Sequence, residues 1–147
     1  MSTKDFALTS PDLADHERIA ERFAGQTGAQ TPRLSVFGVP AGAVELAIIC
    51  HDPDAPLPEG FTHWTLYGLP AQDGEIDVSA GRAGPHDDDG VGYVGPFPPV
   101  GHGVHHYYFW VYALKARVAG TPTREQFLRE YRGVVVGQAR LVGTYSR

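Results

Sequence analysis

Short apolar runs separated by glycine and proline dominate this chain, and they predict a mainly β structure. With 18 glycines and 12 prolines in 147 residues, turns are frequent and long helices are disfavoured. A strand is expected from Leu34, a break at Gly38–Gly42, and a second strand at Val44–His51. The middle of this second strand is apolar and β-branched, so we expect it to be buried.

Alternating side chains in Thr62–Leu69 predict a strand with two distinct faces, which ends at Pro70. The residues expected on one face are His63, Thr65 and Tyr67. The residues expected on the other face are Trp64 and Leu66. His63 and Trp64 are therefore expected on opposite sides of the sheet.

The second half of the chain contains one strand of a different kind. His105–Leu114 has bulky, mostly apolar side chains on both faces, which predicts a central strand covered on both sides. Before it lies a long connection, Ala71–Val104, with a short extended piece at Glu75–Val78. After it, Thr123–Tyr131 begins with a capping threonine and predicts a short amphipathic helix, and Ala139–Tyr145 predicts a last strand.

Composition and charge narrow the class of protein. Hydrophobic residues make up 42% and charged residues 20%, as in ordinary folded proteins, and we expect one domain over residues 1–147. The net charge is -5 and the basic residues are scattered, which argues against a nucleic-acid partner. Met1–Pro11 has no apolar run typical of a secretory signal, and no window is long enough to span a membrane. These features predict a cytoplasmic protein without stable membrane insertion.

Catalytic and metal-binding patterns are weak. Cys50 is the only cysteine and lies in an apolar run, which is typical of a small core residue. His105 and His106 are strand neighbours that point apart, so they cannot chelate one ion together. The Gly-x-Ser-x-Gly pattern of serine hydrolases does not occur. We therefore expect no catalytic residue, no metal and no cofactor.

Polar residues cluster where the predicted strands end. Asp52 and Asp54 follow one strand and, in an extended segment, point the same way, and His105 and Tyr107 share a face of another strand. The glycine-rich segment Gly92–Gly103 leads into His105, and its turns can aim backbone N–H groups at an anion. Together with His63 these groups suggest the mouth of a cavity. They also allow a purely structural account, since aspartates often cap turns and histidines often satisfy local hydrogen bonds.

The order of three separated motifs gives these residues a common context. The motifs are Asp52-Pro53-Asp54-Ala55-Pro56, His63-Trp64, and the stretch from Gly92-Tyr93-Val94-Gly95-Pro96-Phe97-Pro98-Pro99 to His105-His106-Tyr107, followed by Phe109-Trp110-Val111-Tyr112. In this the chain resembles the phosphatidylethanolamine-binding protein family, also called the Raf kinase inhibitor protein family, and in particular its short bacterial branch. The similarity runs from about Pro32 to Tyr145.

The resemblance implies a fold and a site. The fold is two packed, mainly antiparallel sheets with Greek-key connections and a small anion pocket at one end. The ligand-binding residues implied by the motifs are Asp52, Asp54, His63, Gly95, Phe97, Pro98, Pro99, His105 and Tyr107. A cis peptide bond between Ala55 and Pro56, and a homodimer, are further implications of the resemblance.

The function expected from the resemblance is binding without turnover. A phosphomonoester or phospholipid head group would be held by imidazole N–H from His63 or His105, the Tyr107 hydroxyl, and backbone N–H groups of the Gly95–Pro99 turn. A kinase or another protein partner could be modulated through the same surface. Two alternatives stay open: a hydrolase that uses His63 or His105 as a general base near Asp52, and a protease or kinase inhibitor that binds proteins and has a vestigial pocket.

Three departures from the family pattern concern the site. His106 stands where the family usually has arginine, so a structural pair is in doubt. Phe97 stands where small residues are common and could narrow the entrance. The run Asp87-Asp88-Asp89 adds negative potential near the mouth, which weakens the approach of a dianion.

Overall fold

The computed structural model describes residues 6–147, which form a mainly β structure with one α-helix. The strands within this range are β1 (Ala7–Thr9), β2 (Glu17–Arg18), β3 (Ser35–Phe37), β4 (Glu45–Asp52), β5 (Phe61–Leu69), β6 (Gly74–Glu75), β7 (Arg82–Ala83), β8 (Pro85–His86), β9 (Gly90–Val91), β10 (His105–Leu114) and β11 (Val135–Tyr145). The helix, α1, spans Arg124–Tyr131. Short 3₁₀ turns occur at Glu21–Phe23, Val78–Ala80 and Arg132–Val134.

A six-stranded sheet with the order β2-β11-β10-β4-β5-β7 forms the body of the protein. Its ladders are antiparallel except for the short β2–β11 pair. A three-stranded antiparallel sheet, β1-β3-β6, packs against one face, and β8 and β9 form a separate hairpin. The predicted class, two packed and mainly antiparallel sheets with one short helix, is confirmed. So is the central place of β10 between β4 and β11.

Apolar side chains fill both faces of the central strands. Between the two sheets, Val36 packs with Ile48 and Phe109, all with 0% exposure. On the opposite face, Ile49 packs in a second cluster with Phe127 of α1. Cys50 is buried in the first cluster, which confirms its interpretation as a core residue.

The helix begins where its sequence predicts. The Thr123 hydroxyl accepts from the Gln126 backbone N–H at 3.1 Å, and the Gln126 side chain accepts from the Thr123 N–H at 3.0 Å. This reciprocal capping satisfies two backbone donors that the first helical turn leaves without an intrahelical partner. Only Phe127 of α1 is fully buried, so the helix covers one end of the sheet.

A β-bulge in β5 changes the orientation of His63. Cys50 pairs with Trp64, but the next residue of β4, His51, pairs with Thr62, which leaves His63 as the extra residue. The prediction that His63 shares a face with Thr65 and Tyr67 is therefore wrong, because a bulge places two successive residues opposite one. His63 lies against Tyr107, with ring centroids 5.1 Å apart.

Smaller expectations differ in detail. The last strand starts at Val135, earlier than expected, because its first residues pair with the end of β10. The long connection contains four short strands, β6 to β9. The cis bond implied at Ala55–Pro56 is wrong, since the described residues contain no cis peptide. The prediction that there is no secretory signal concerns Met1–Pro11, and the first five of these residues lie outside the described range. Within residues 6–147, no helix is long and apolar enough to cross a membrane.

Candidate functional site

A cavity of about 250 Å³ opens at one edge of the large sheet. At this place β4 ends at Asp52, β5 begins at Phe61 and β10 begins at His105. In an antiparallel sheet the end of one strand lies beside the start of its neighbour, so these three residues come together. The predicted site residues that line the cavity are Asp52, His63, Gly95, Phe97, Pro98, Pro99, His105 and Tyr107. The other lining residues are Gln26, Ala55, Pro56, Leu57, Phe61 and Val94, together with Asp88 of the acidic run expected near the mouth.

The most buried polar element of the site is a hydrogen-bonded pair of side chains. His105 Nδ1 lies 2.6 Å from Asp52 Oδ2, and each side chain is only 3% exposed. The second carboxylate oxygen of Asp52 accepts the Asp54 backbone N–H at 2.7 Å. A carboxylate at Nδ1 favours the tautomer of His105 that carries its proton there. The other ring nitrogen, Nε2, lies 2.6 Å from Nδ1 of His102.

The contact between His102 and His105 is not predicted from the sequence. His102 is an exposed residue of the loop before β10, and its imidazole lies against the buried ring of His105 with centroids 4.8 Å apart. The only signal in the sequence is its position three residues before His105 in a glycine-rich stretch. The result is a continuous hydrogen-bonded chain from Asp52 through His105 to His102.

His63 presents an acceptor to the cavity. Burial lowers the pKa of His63 to about 4, so its imidazole is neutral near neutral pH. Its Nδ1 lies 2.9 Å from the Val94 carbonyl oxygen, which can only accept, so the ring proton is at Nδ1. Nε2 then carries a lone pair. The expectation that His63 donates an N–H to an anion is not supported by this geometry.

Tyr107 presents a donor. Burial, reinforced by the nearby charge of Asp52, raises the pKa of Tyr107 well above its usual range. The phenol therefore stays protonated at any physiological pH and can donate to a ligand oxygen. Its ring lies between those of His63 and His105, at centroid distances of 5.1 Å and 6.4 Å.

The turn Gly95–Pro99 offers fewer N–H donors than the glycine-rich sequence suggests. Three of its five residues are prolines, which have no N–H. The Gly95 N–H donates to the Gly25 carbonyl oxygen at 3.0 Å, and the Gly25 N–H donates back to the Pro96 carbonyl oxygen at 2.8 Å. Only the Phe97 N–H remains in this turn. The expectation of several convergent backbone donors here is therefore wrong.

Phe97 forms part of the rim and is held from behind. The guanidinium carbon of Arg147 lies 3.9 Å from the centroid of the Phe97 ring. Arg147 also donates from Nε to the Pro98 carbonyl oxygen at 2.7 Å, and its own carbonyl oxygen accepts the Gly101 N–H at 3.0 Å. Arg147 thus connects the turn with the loop that carries His102.

Asp54 does not line the cavity, contrary to the expectation that it points the same way as Asp52. Alternation fails here because β4 ends at Asp52 and the chain turns. Asp54 accepts both the backbone N–H and Nδ1 of His106 at 2.8 Å. Partial burial would raise the pKa of Asp54, but the hydrogen bonds from His106 outweigh it and hold the pKa below its usual value. The structural pair left in doubt by His106 is therefore present.

Carboxylates are the acidic side chains that line the cavity. Asp52 and Asp88 line it, whereas no lysine or arginine is among the described residues that do so. Cys50 lies in the core, where burial raises the pKa of its thiol well above the usual value. In residues 6–147, no group of three or more histidine, cysteine or carboxylate side chains could hold a metal ion. The polar groups at the wall can offer hydrogen bonds and ion pairs to a ligand.

Comparison with known proteins identifies the same architecture elsewhere. The family model described as phosphatidylethanolamine-binding protein matches residues 9–146. A UPF0098 protein of Methanothermobacter thermautotrophicus is 38% identical over 144 residues, covering 90% of this chain and 93% of that protein. LppC of Mycobacterium tuberculosis, named as a candidate lipoprotein, is 33% identical over 151 residues, covering 99% of this chain and 74% of LppC.

A solved structure agrees with these sequence matches. The crystal structure of Escherichia coli YbcL, described as a new member of the mammalian PEBP family, has a TM-score of 0.86 and 26% identity. The match covers 97% of this chain and 99% of the YbcL chain. The whole fold, including both sheets and the edge that carries the cavity, is therefore shared.

Proposed function

Since the chain belongs to the phosphatidylethanolamine-binding protein family, we propose that its cavity binds a phosphomonoester or a phospholipid head group without turning it over. The observation that carries this proposal is the convergence of the Asp52–His105 pair and Tyr107 on a cavity whose other walls are largely apolar. A few fixed polar groups within an apolar wall are typical of small-ligand sites.

Each polar group has a separate role in this proposal. The Tyr107 hydroxyl and the Phe97 N–H donate to phosphate oxygens, and the lone pair of His63 Nε2 accepts from a protonated phosphate oxygen. Asp88 at the wall can pair with an ammonium group, which makes phosphoethanolamine a suitable probe. Asp52 fixes the orientation of His105 rather than touching the ligand's anion.

Binding without turnover is proposed because a hydrolase would need a free base or nucleophile at the cavity. His105 is oriented by Asp52, as a general base would be, but its Nε2 is already engaged by His102. His63 is a weak base, because burial lowers its pKa to about 4. The phenol of Tyr107 is kept protonated by burial.

A protein partner would reach the ligand at the rim. Leu57 and Phe97 line the cavity and are 52% and 45% exposed. Such apolar side chains at a mouth can be covered by a partner that senses occupancy. A kinase as this partner and a homodimer stay predictions. A cytoplasmic location also stays a prediction, because the relative LppC is named as a candidate lipoprotein.

Calorimetric titration with phosphoethanolamine and with inorganic phosphate tests the proposal. We expect wild type to bind both and Tyr107→Phe to bind about tenfold more weakly, because a hydrogen bond to a charged group contributes about 1.5–3 kcal/mol. Tyr108→Phe is the matched control, since Tyr108 is the next residue of β10 and does not line the cavity. Absence of binding by wild type, or release of inorganic phosphate from phosphoethanolamine, contradicts the proposal.

A further inference from the structure

The chain of hydrogen bonds from Asp52 through His105 to His102 connects a buried carboxylate with the protein surface. Asp52 and His105 are each 2% exposed as residues, whereas His102 is an exposed residue. Both links of the chain, Oδ2 to Nδ1 and Nε2 to Nδ1, are 2.6 Å long. Solvent therefore reaches the outer ring while the inner ring stays buried.

The backbone holds His102 over His105. Gly101 and Gly103 on either side of it have φ angles of 78° and 97°, in the left-handed region that favours glycine. The His102 N–H donates to the Pro99 carbonyl oxygen at 3.1 Å, and the Gly101 N–H donates to the Arg147 carbonyl oxygen at 3.0 Å. The position of the outer imidazole is therefore built into the loop.

Counting protons along the chain shows what an anion would meet. His105 donates its Nδ1–H to Asp52. The contact between His105 Nε2 and His102 Nδ1 is also a hydrogen bond, so one proton lies between these two nitrogens. When both rings are neutral, His102 supplies that proton, and its Nε2 then carries a lone pair that repels an anion. One added proton turns Nε2 into an N–H donor and gives the imidazole pair a positive charge.

The remaining charges around the cavity make this added proton important. Asp52 and Asp88 are negative, Asp54 is paired with His106 beside the site, and no lysine or arginine of the described residues lines the wall. His63 and Tyr107 are neutral near neutral pH, and Arg147 stacks on Phe97 behind the rim. His105 lines the cavity and is hydrogen-bonded to the exposed His102, so among the described residues this imidazole pair is the group that can bring positive charge to the cavity wall.

We propose that the chain Asp52–His105–His102 takes up one proton with each anion that the cavity binds, and that the exposed His102 is the residue that accepts this proton. The inference rests on the proposed function, because it concerns how the same cavity accepts an anion. The proton comes from solvent and resides on the imidazole pair. The positive charge of the imidazole pair then attracts the anion at the wall that His105 forms, while Asp52 accepts from His105 Nδ1.

Sulfate is a suitable probe because, unlike phosphate, it does not titrate near neutral pH. Titrations in two buffers with different heats of ionisation give the number of protons taken up on binding. We expect wild type to take up about one proton near pH 7.5, and its affinity to fall by up to about tenfold per pH unit on the alkaline side. Phosphate measured in parallel shows whether the cavity binds anions at all.

The decisive variant is His102→Asn, whose amide can still donate to His105 Nε2 but cannot take up a proton. We expect its proton uptake to fall towards zero and its pH dependence to flatten. His16→Asn is the control, because His16 is an exposed histidine that does not line the cavity, and asparagine tolerates its φ of 65°.

The possible failures are distinguishable. If wild type and His102→Asn bind sulfate with the same proton uptake, the role of His102 is refuted and the proposed anion cavity stands. If wild type binds phosphate but not sulfate, or binds sulfate without proton uptake, the inference is again wrong. If wild type binds neither anion, the proposed function fails and the inference fails with it.

Discussion

Acid destabilisation through His63 is the prediction that follows most directly from the folded structure. Burial lowers the pKa of His63 to about 4, and the pKa of His51 to about 4 as well, with the charge of Arg124 as a secondary cause for His51. In the unfolded chain histidine titrates at about 6.5. Between these values the unfolded state binds more protons, so the stabilisation is fully present above about pH 6.5 and is lost as pH falls towards 4.

The magnitude follows from the difference between the two pKa values. At pH 5 a histidine with a pKa of about 6.5 unfolded and about 4 folded favours the unfolded state by roughly thirtyfold, or about 2 kcal/mol. His63 and His51 together therefore account for about 4 kcal/mol between pH 7.5 and pH 5. That is a large part of the 5–15 kcal/mol typical of a domain, roughly speaking.

Urea unfolding at the two pH values, followed by the fluorescence of Trp64 and Trp110, measures this loss. His63→Asn keeps a donor for the Val94 carbonyl oxygen but does not titrate, so we expect its loss of stability to be about 2 kcal/mol smaller than in wild type. Its baseline stability cancels, because only the difference between pH values is compared. His16→Asn, an exposed control, should lose as much as wild type. Equal losses in wild type and His63→Asn would refute the reasoning.

Two further predictions concern the cavity wall. Gly95→Ala should destabilise the protein by about 1–3 kcal/mol in urea unfolding and weaken phosphate binding, because an added Cβ meets the backbone of Phe23 and Ala24. The control is Gly42→Ala, which has open space around it and should change stability by less than about 0.5 kcal/mol. Arg147→Ala should lower phosphate affinity several-fold in calorimetry with less than about 1 kcal/mol lost in stability, since it releases Phe97 and Pro98 at the exposed rim, and Arg147→Lys should restore only part of the affinity. Unchanged phosphate affinity in Gly95→Ala or in Arg147→Ala would contradict the role given to that residue.

The fold was predictable where burial leaves no choice. The bounds of β10, His105–Leu114, follow from bulky side chains on both faces, which only a central strand covers. The helix was predictable from its capping threonine and the Phe127–Tyr131 spacing. The bulge at His63 was not, because register depends on how β5 meets β4, and each strand alone reads as regular.

The candidate site divides in the same way. The candidate residues that lie in strands and motifs line the cavity, with the exception of Asp54. Asp54 points elsewhere because the chain turns directly after Asp52. Gln26 arrives from a distant loop, and no local pattern of polar residues indicates such a contact. The His102–His105 hydrogen bond depends on the backbone angles of Gly101 and Gly103, which glycine permits but does not specify.

The Asp52–His105 pair separates what stabilises this protein from what makes a binding site. A buried pair of a carboxylate and an imidazole is seldom more stabilising than apolar side chains of the same volume, because both groups lose their hydration. Removing one partner is a different matter, since it leaves an uncompensated polar group and costs about 3–5 kcal/mol. Lost binding in Asp52→Ala would therefore reflect a disordered or unpaired His105 as much as a missing ligand contact. Tyr107 and His102 are the informative positions, because their replacements leave the buried pair intact. Replacing Tyr107 changes a donor at the cavity wall, and replacing His102 changes the charge beside it.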